Sequence, residues 1–108
     1  MYELFKSEKT GKFHFRLKAG NGEIILQSQA YADKNGAENG IASVTSNGGD
    51  ENRFEKKEAA NGKFYFVLKA ANGQIIGQSQ QYKTESGCHN GISSVARNCG
   101  SETKDLTV

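Results

Sequence analysis

Two short polar runs stand out for the chemistry they could do. Gln27-Ser28-Gln29 and Gln78-Ser79-Gln80 each end two residues before a tyrosine, Tyr31 and Tyr82. A carboxamide donates and accepts hydrogen bonds at once, so these runs could read a polar ligand or another strand. They could equally cap a strand and tie down the loop that follows it. A second candidate is a set of cations. Arg16, Lys18 and Lys69 alternate with apolar residues in stretches 13–19 and 64–70, alongside His14, Tyr65 and Val67. Placed on one sheet face, they are similar in outline to surfaces that stack single-stranded nucleic acid. The plain alternative is a solvated sheet face.

Glycine is the third signal. Gly36 and Gly40 are four apart, as are Gly87 and Gly91, in segments with helical periodicity. A glycine inside a helix costs about 1 kcal/mol against alanine, so something must approach the backbone there. Close packing against a sheet or helix would do, and so would a small molecule or anion at the helix N-terminus. The Gly-Lys-Ser/Thr ending of a phosphate loop is missing.

Cys88-His89 and Cys99 give little. Eleven helical residues separate the two thiols by about 16 Å along the axis, too far for a disulfide. Neighbouring helical side chains point about 100° apart, a poor geometry for chelation, and the matching pair elsewhere is Ala37-Glu38. No triad context surrounds the two histidines and no zinc spacing appears. The expectation is a small binding or interaction module with no catalysis, no metal and no cofactor.

The elements that position these residues are legible in a repeat. Shifting residues 11–51 by 51 positions places them on 62–102 with 24 identities in 41 pairs. Each copy alternates apolar and polar residues over one strand, as in Phe13, Phe15 and Leu17, or Phe64, Phe66 and Leu68. Asn21-Gly22 and Asn72-Gly73 then supply hairpin turns. Ile-rich third strands are predicted over 23–28 and 74–79, and opening strands over 2–6 and 53–57. The period then becomes helical, with Ala37, Ile41 and Val44 matching Cys88, Ile92 and Val95. Asp33 and Thr84 are the predicted N-caps. A last short strand is predicted over 105–108.

A three-stranded meander with one helix buries little alone. Two copies can share a core, so residues 1–108 read as one α+β domain made of repeat 1 (1–51) and repeat 2 (52–108), with both helices on one sheet face. Ten of the 13 glycines fall in five matched pairs, leaving Gly20, Gly48 and Gly77.

In tandem, the blocks Gly-Lys-Phe-x-Phe-x-Leu-Lys-Ala, Asn-Gly-x-Ile-Ile and Asn-Gly-Ile-x-Ser-Val resemble the YegP-like family of bacterial proteins. The resemblance spans nearly the whole chain. It implies units of β(3)-α-β type that assemble into a single antiparallel sheet and exchange their C-terminal strands. Relatives with one unit would make the same assembly as a dimer. It supplies no catalytic residues.

Charge narrows the partners. Lys and Arg number 14 against 12 Asp and Glu, a net +2, which does not demand nucleic acid. Repeat 2 is the more basic, with eight cations and five anions against six and seven in repeat 1. No apolar run approaches 18 residues, and residues 1–6 are too polar for a signal peptide. A cytoplasmic monomer with no membrane contact is expected. Nucleic acid on the basic face stands as one alternative function, and a ligand at the helix starts as another.

Overall fold

Alternation in the sequence becomes strand pairing in a computed structural model that describes residues 1–107. Repeat 1 forms β1 (Tyr2–Lys6), β2 (Phe13–Lys18), β3 (Ile24–Gln27) and α1 (Lys34–Asn47). A single 3-10 turn, Glu51–Arg53, leads into repeat 2: β4 (Phe54–Glu58), β5 (Phe64–Lys69), β6 (Ile75–Gln78) and α2 (Glu85–Asn98). The chain closes with β7 (Thr103–Asp105). The hairpin glycines Gly22 and Gly73 both sit at φ 84°, where a side chain would be strained. Asp33 and Thr84 cap the helices as predicted, accepting from the Gly36 and Gly87 amides at 2.7 and 2.9 Å.

The seven strands form one sheet in the order β4-β5-β6-β3-β2-β1-β7. Repeat 1 supplies one half and repeat 2 the other, related by a pseudo-twofold axis between β3 and β6. All pairs are antiparallel except β1 and β7, which run parallel, so the sheet is mixed. The strand exchange occurs once: β7 leaves repeat 2 and pairs with β1. The chain after α1 enters β4 directly, so β4 is an edge strand.

Four strands differ in their bounds from the sequence reading. The third strands are shorter, four residues each. The last strand lies earlier, at Thr103–Asp105, and Val108 falls outside the described residues. The opening strand of repeat 2 is Phe54–Glu58 and not 53–57. The β1–β2 loop has one more residue than the β4–β5 loop, so Tyr2 matches Phe54, opposite Leu17 and Leu68. Both rings make edge contacts, with Phe15 and Phe66 respectively.

One hydrophobic core takes residues from both repeats, among them Leu4, Phe15, Leu26, Phe66, Val44 and Val95. Each helix packs on strands of its own repeat and on strands across the axis. A bulge in each half puts two successive residues toward the core, Ile25 with Leu26 and Ile76 with Gly77. Equivalent positions meet at the axis, and there the repeats differ. Leu26 fills the space beside Gly77, where an added β-carbon would lie 2.8 Å from Leu26 Cγ. On the helix side, a β-carbon at Gly48 would lie 2.7 Å from Cys99 Cβ. Large-against-small pairs therefore close the core at both places.

Candidate functional site

Strand register lines up a row of side chains across the open face of the sheet. Glu3 pairs with Arg16, Arg16 with Gln27, Gln27 with Gln78, Gln78 with Val67, and Val67 with Glu55. Side chains in register on one face are close neighbours. The row reads the same from either end except at one position, where Arg16 in repeat 1 matches Val67 in repeat 2.

The two Gln-Ser-Gln runs meet at the centre of this row. Each divides its labour in the same way. Ser28 accepts from the Phe15 amide at 2.9 Å and donates to the Gln29 carbonyl; Ser79 does the same with Phe66 and Gln80. These hydroxyls fasten the strand ends. The third residues stitch the repeats together: Gln29 Nε2 donates to the Ile75 carbonyl at 3.4 Å, and Gln80 Nε2 to Glu23 Oε1 at 2.6 Å. The first residues, Gln27 and Gln78, are exposed, and their carboxamides bond to no other described residue.

Gln27 and Gln78 are the last residues of β3 and β6, so these antiparallel strands overlap at this one pair. Beside it lies a groove of about 450 Å³, lined by Gln27, Gln29, Gln78, Ile75 and the bare backbone of Gly77, with the two serines. A smaller hollow continues from Gln27 and Ser28 to Arg16, His14 and Phe5. Phe5 stacks on His14 at 5.5 Å, and the Arg16 guanidinium lies 4.6 Å from the Phe5 ring centre.

The cations of this face are held by carboxylates. Arg16 Nε lies 2.7 Å from Glu3 Oε1, and Lys18 Nζ lies 3.2 Å from the same oxygen. The Arg16 hydrogen bond, with Lys18, holds Glu3 below the usual carboxylate range against partial desolvation. Lys69 bonds to Glu55, and Lys57 adds its field, with the same effect on that carboxyl. Four cations, Arg16, Lys18, Lys57 and Lys69, share two carboxylates, so a modest positive excess remains. Val67, placed on this face by alternation, is only 2% exposed.

The helix glycines have a packing role. An added β-carbon at Gly40 would lie 2.5 Å from the Tyr31 hydroxyl and 2.7 Å from Phe15. Gly91 faces Tyr82 and Phe66 in the same way. Each tyrosine stacks on its phenylalanine at 6.2 or 6.3 Å, and the pair packs against the helix glycine. Gly36 and Gly87 give their amides to the cap residues. Burial raises both tyrosine hydroxyls above their ordinary pKa. Cys88 and Cys99 are free and buried, and burial pushes the Cys88 thiol up, away from its nucleophilic form.

Sequence reasoning brought the Gln-Ser-Gln runs forward but missed Glu3, Glu55, Phe5, Ile75 and Gly77. The alternation of Tyr2 and Leu4 with Glu3 and Phe5 was the available signal for two of them. No helix among the described residues is long and apolar enough to cross a membrane.

Comparison with known proteins places the chain. A family model described as a domain of unknown function, DUF1508, matches twice, at residues 8–55 and 59–105. The UPF0339 protein YegP of Escherichia coli K12 is 58% identical over 107 residues, covering 98% of this chain and 96% of that protein. YegP of Yersinia pestis is 51% identical over 108 residues, with 99% and 96% covered. The solution structure of E. coli YegP, a protein of unknown function, superposes with a TM-score of 0.92 at 57% identity, covering 98% and 91% of the two chains. A UPF0339 protein from Shewanella oneidensis gives 0.91 at 53%, covering 98% and 90%. With two DUF1508 repeats forming one α+β sheet, the chain belongs to the YegP-like UPF0339 family.

Proposed function

We propose that the protein is a small non-catalytic binding module whose ligand seat is the groove on the pseudo-twofold axis. The observation that carries this reading is the meeting of Gln27 and Gln78, two unengaged carboxamides in register over a groove floored by Gly77. A carboxamide matches both halves of a peptide group, its carbonyl and its N–H. The ligand is therefore a polar molecule carrying peptide-type amides. The buried thiols, away from this groove, support a role without nucleophilic chemistry.

N-acetyl-leucinamide is a neutral probe of this seat. Titrated into the ¹⁵N-labelled chain, it should move the amide signals of Gln27, Gly77 and Gln78. The Gln27→Ala/Gln78→Ala double variant should lose the response while keeping the dispersed spectrum of a folded chain. Shifts that spare the groove, or that survive in the double variant, overturn the reading.

A further inference from the structure

The duplication itself points to the ligand's chemistry, because the row of side chains that crosses the groove is symmetric except at one pair. Beside Gln27 stands Arg16; beside Gln78 stands Val67. The hollow toward Arg16 shares Gln27 and Ser28 with the main groove, so the two spaces adjoin across these residues. Arg16 contacts Glu3 through Nε and lies over the Phe5 ring, which leaves the in-plane N–H groups of its terminal guanidinium nitrogens, the fork that binds carboxylate in two places. Lys18 shares the charge of the same Glu3 oxygen. On the other side, Ile75 is 42% exposed at the groove wall. The groove thus has a cationic end, an amide-reading centre and an apolar end.

Resting on the binding-module reading above, we propose that the groove takes a carboxylate set next to an amide and an aliphatic side chain. The carboxylate lies at Arg16, the amide lies between Gln27 and Gln78, and the aliphatic group lies toward Ile75. This chemistry occurs at the free C-terminus of an extended peptide and in an N-acylated amino acid. A nucleic acid fits less well, because a strand's successive phosphates need a row of free cations along the face, and Lys18, Lys57 and Lys69 are held by Glu3 and Glu55.

The test compares N-acetyl-leucine with N-acetyl-leucinamide on the full chain by ¹⁵N shift mapping. The free acid should bind about tenfold or more tightly than the amide, the size of one charge-assisted contact. Arg16→Val should remove that preference. It copies the residue that repeat 2 carries at the same place, so the fold has a precedent for it. Should the variant fail to fold, Arg16→Lys replaces it; it keeps the charge, loses the fork and should cut the preference in part. N-acetyl-Ala-Ala-Leu with a free carboxylate separates the sources: tighter binding than N-acetyl-leucine marks a peptide end, equal binding a small acylated amino acid, and both support the shared chemistry. Equal binding of acid and amide in the groove overturns this inference and leaves the module reading standing. A groove untouched by every probe overturns both.

Discussion

The opening strands of the two repeats, β1 and β4, are equivalent in the repeat unit and meet opposite fates. At β1 the inward positions are Tyr2 and Leu4, 0% and 1% exposed, because β7 lies alongside. At β4 the matching positions are Phe54 and Lys56, and no strand follows. The helix starts differ too: Lys34 of α1 bonds to Asp105 of β7, whereas α2 begins with Glu85. A covered edge can be apolar, and an uncovered edge carries an inward-pointing lysine that discourages a second chain from pairing there. Identical units placed in one sheet need different residues wherever their surroundings differ. The same rule governs the axis, where Leu26 meets Gly77 and Cys99 meets Gly48.

The largest effects are expected at the axis. Leu26→Ala should lower stability by about 2–5 kcal/mol through a cavity, whereas Gly77→Ala should lower it by about 1–3 kcal/mol through overpacking. Urea unfolding measures both. The exchange Leu26→Gly with Gly77→Leu should recover most of the loss, because it moves the large residue to the other side of the axis. Additive losses would mean the two positions do not face each other as described.

A smaller effect is expected at the β4 edge. Lys56→Leu gives that edge the residue β1 carries. Sedimentation should then find self-association at concentrations where the parent chain, which we expect to be monomeric, shows none. No change in mass would remove the guarding role assigned to Lys56.

The smallest effect concerns how β7 is fastened. Lys34 and the Thr107 contacts hold Asp105 down to about 2, from an ordinary 3.8. The folded state thus favours the charged form, so this contribution is present above about pH 4 and is lost as pH falls through 2. Protection of the Leu106 amide, which donates to the Leu4 carbonyl, should fall over that window relative to the exchange rate of an unfolded amide at the same pH. Lys34→Glu, the repeat-2 pattern, should already exchange faster at neutral pH. An amide indifferent to both changes would detach the ion pair from the edge.

Much of this fold was legible because it is local. Alternation marked β2 and β5, Asn-Gly marked the hairpins, and Asp33 and Thr84 marked the helix starts. The β4 register slipped by one because a single extra loop residue is invisible to a fixed 51-residue shift. The partners of Gly40 and Gly91 were hidden for a different reason. Tyr31 and Tyr82 reach them only after the strand folds back under the helix, although the spacing of nine residues is the same in both copies. The axis groove needed tertiary closure, since nothing local says that Gln27 will face Gln78. Even so, the repeat contained a clue. Its departures from identity at Leu26/Gly77, Gly48/Cys99 and Arg16/Val67 are the places where symmetry cannot or need not hold, and the first two account for two of the three unmatched glycines.

Arg16 and Val67 give the groove its polarity, at the one pair where the row that crosses it is not symmetric. The most direct test is the reciprocal exchange, Arg16→Val with Val67→Arg, titrated with N-acetyl-leucine beside the single Arg16→Val variant. The single variant should lose about tenfold or more in affinity. The exchange should restore binding, with the carboxylate-dependent shifts moved from the Gln27 side to the Gln78 side. Parent-like binding by the single variant, or an exchange that restores nothing, would contradict it.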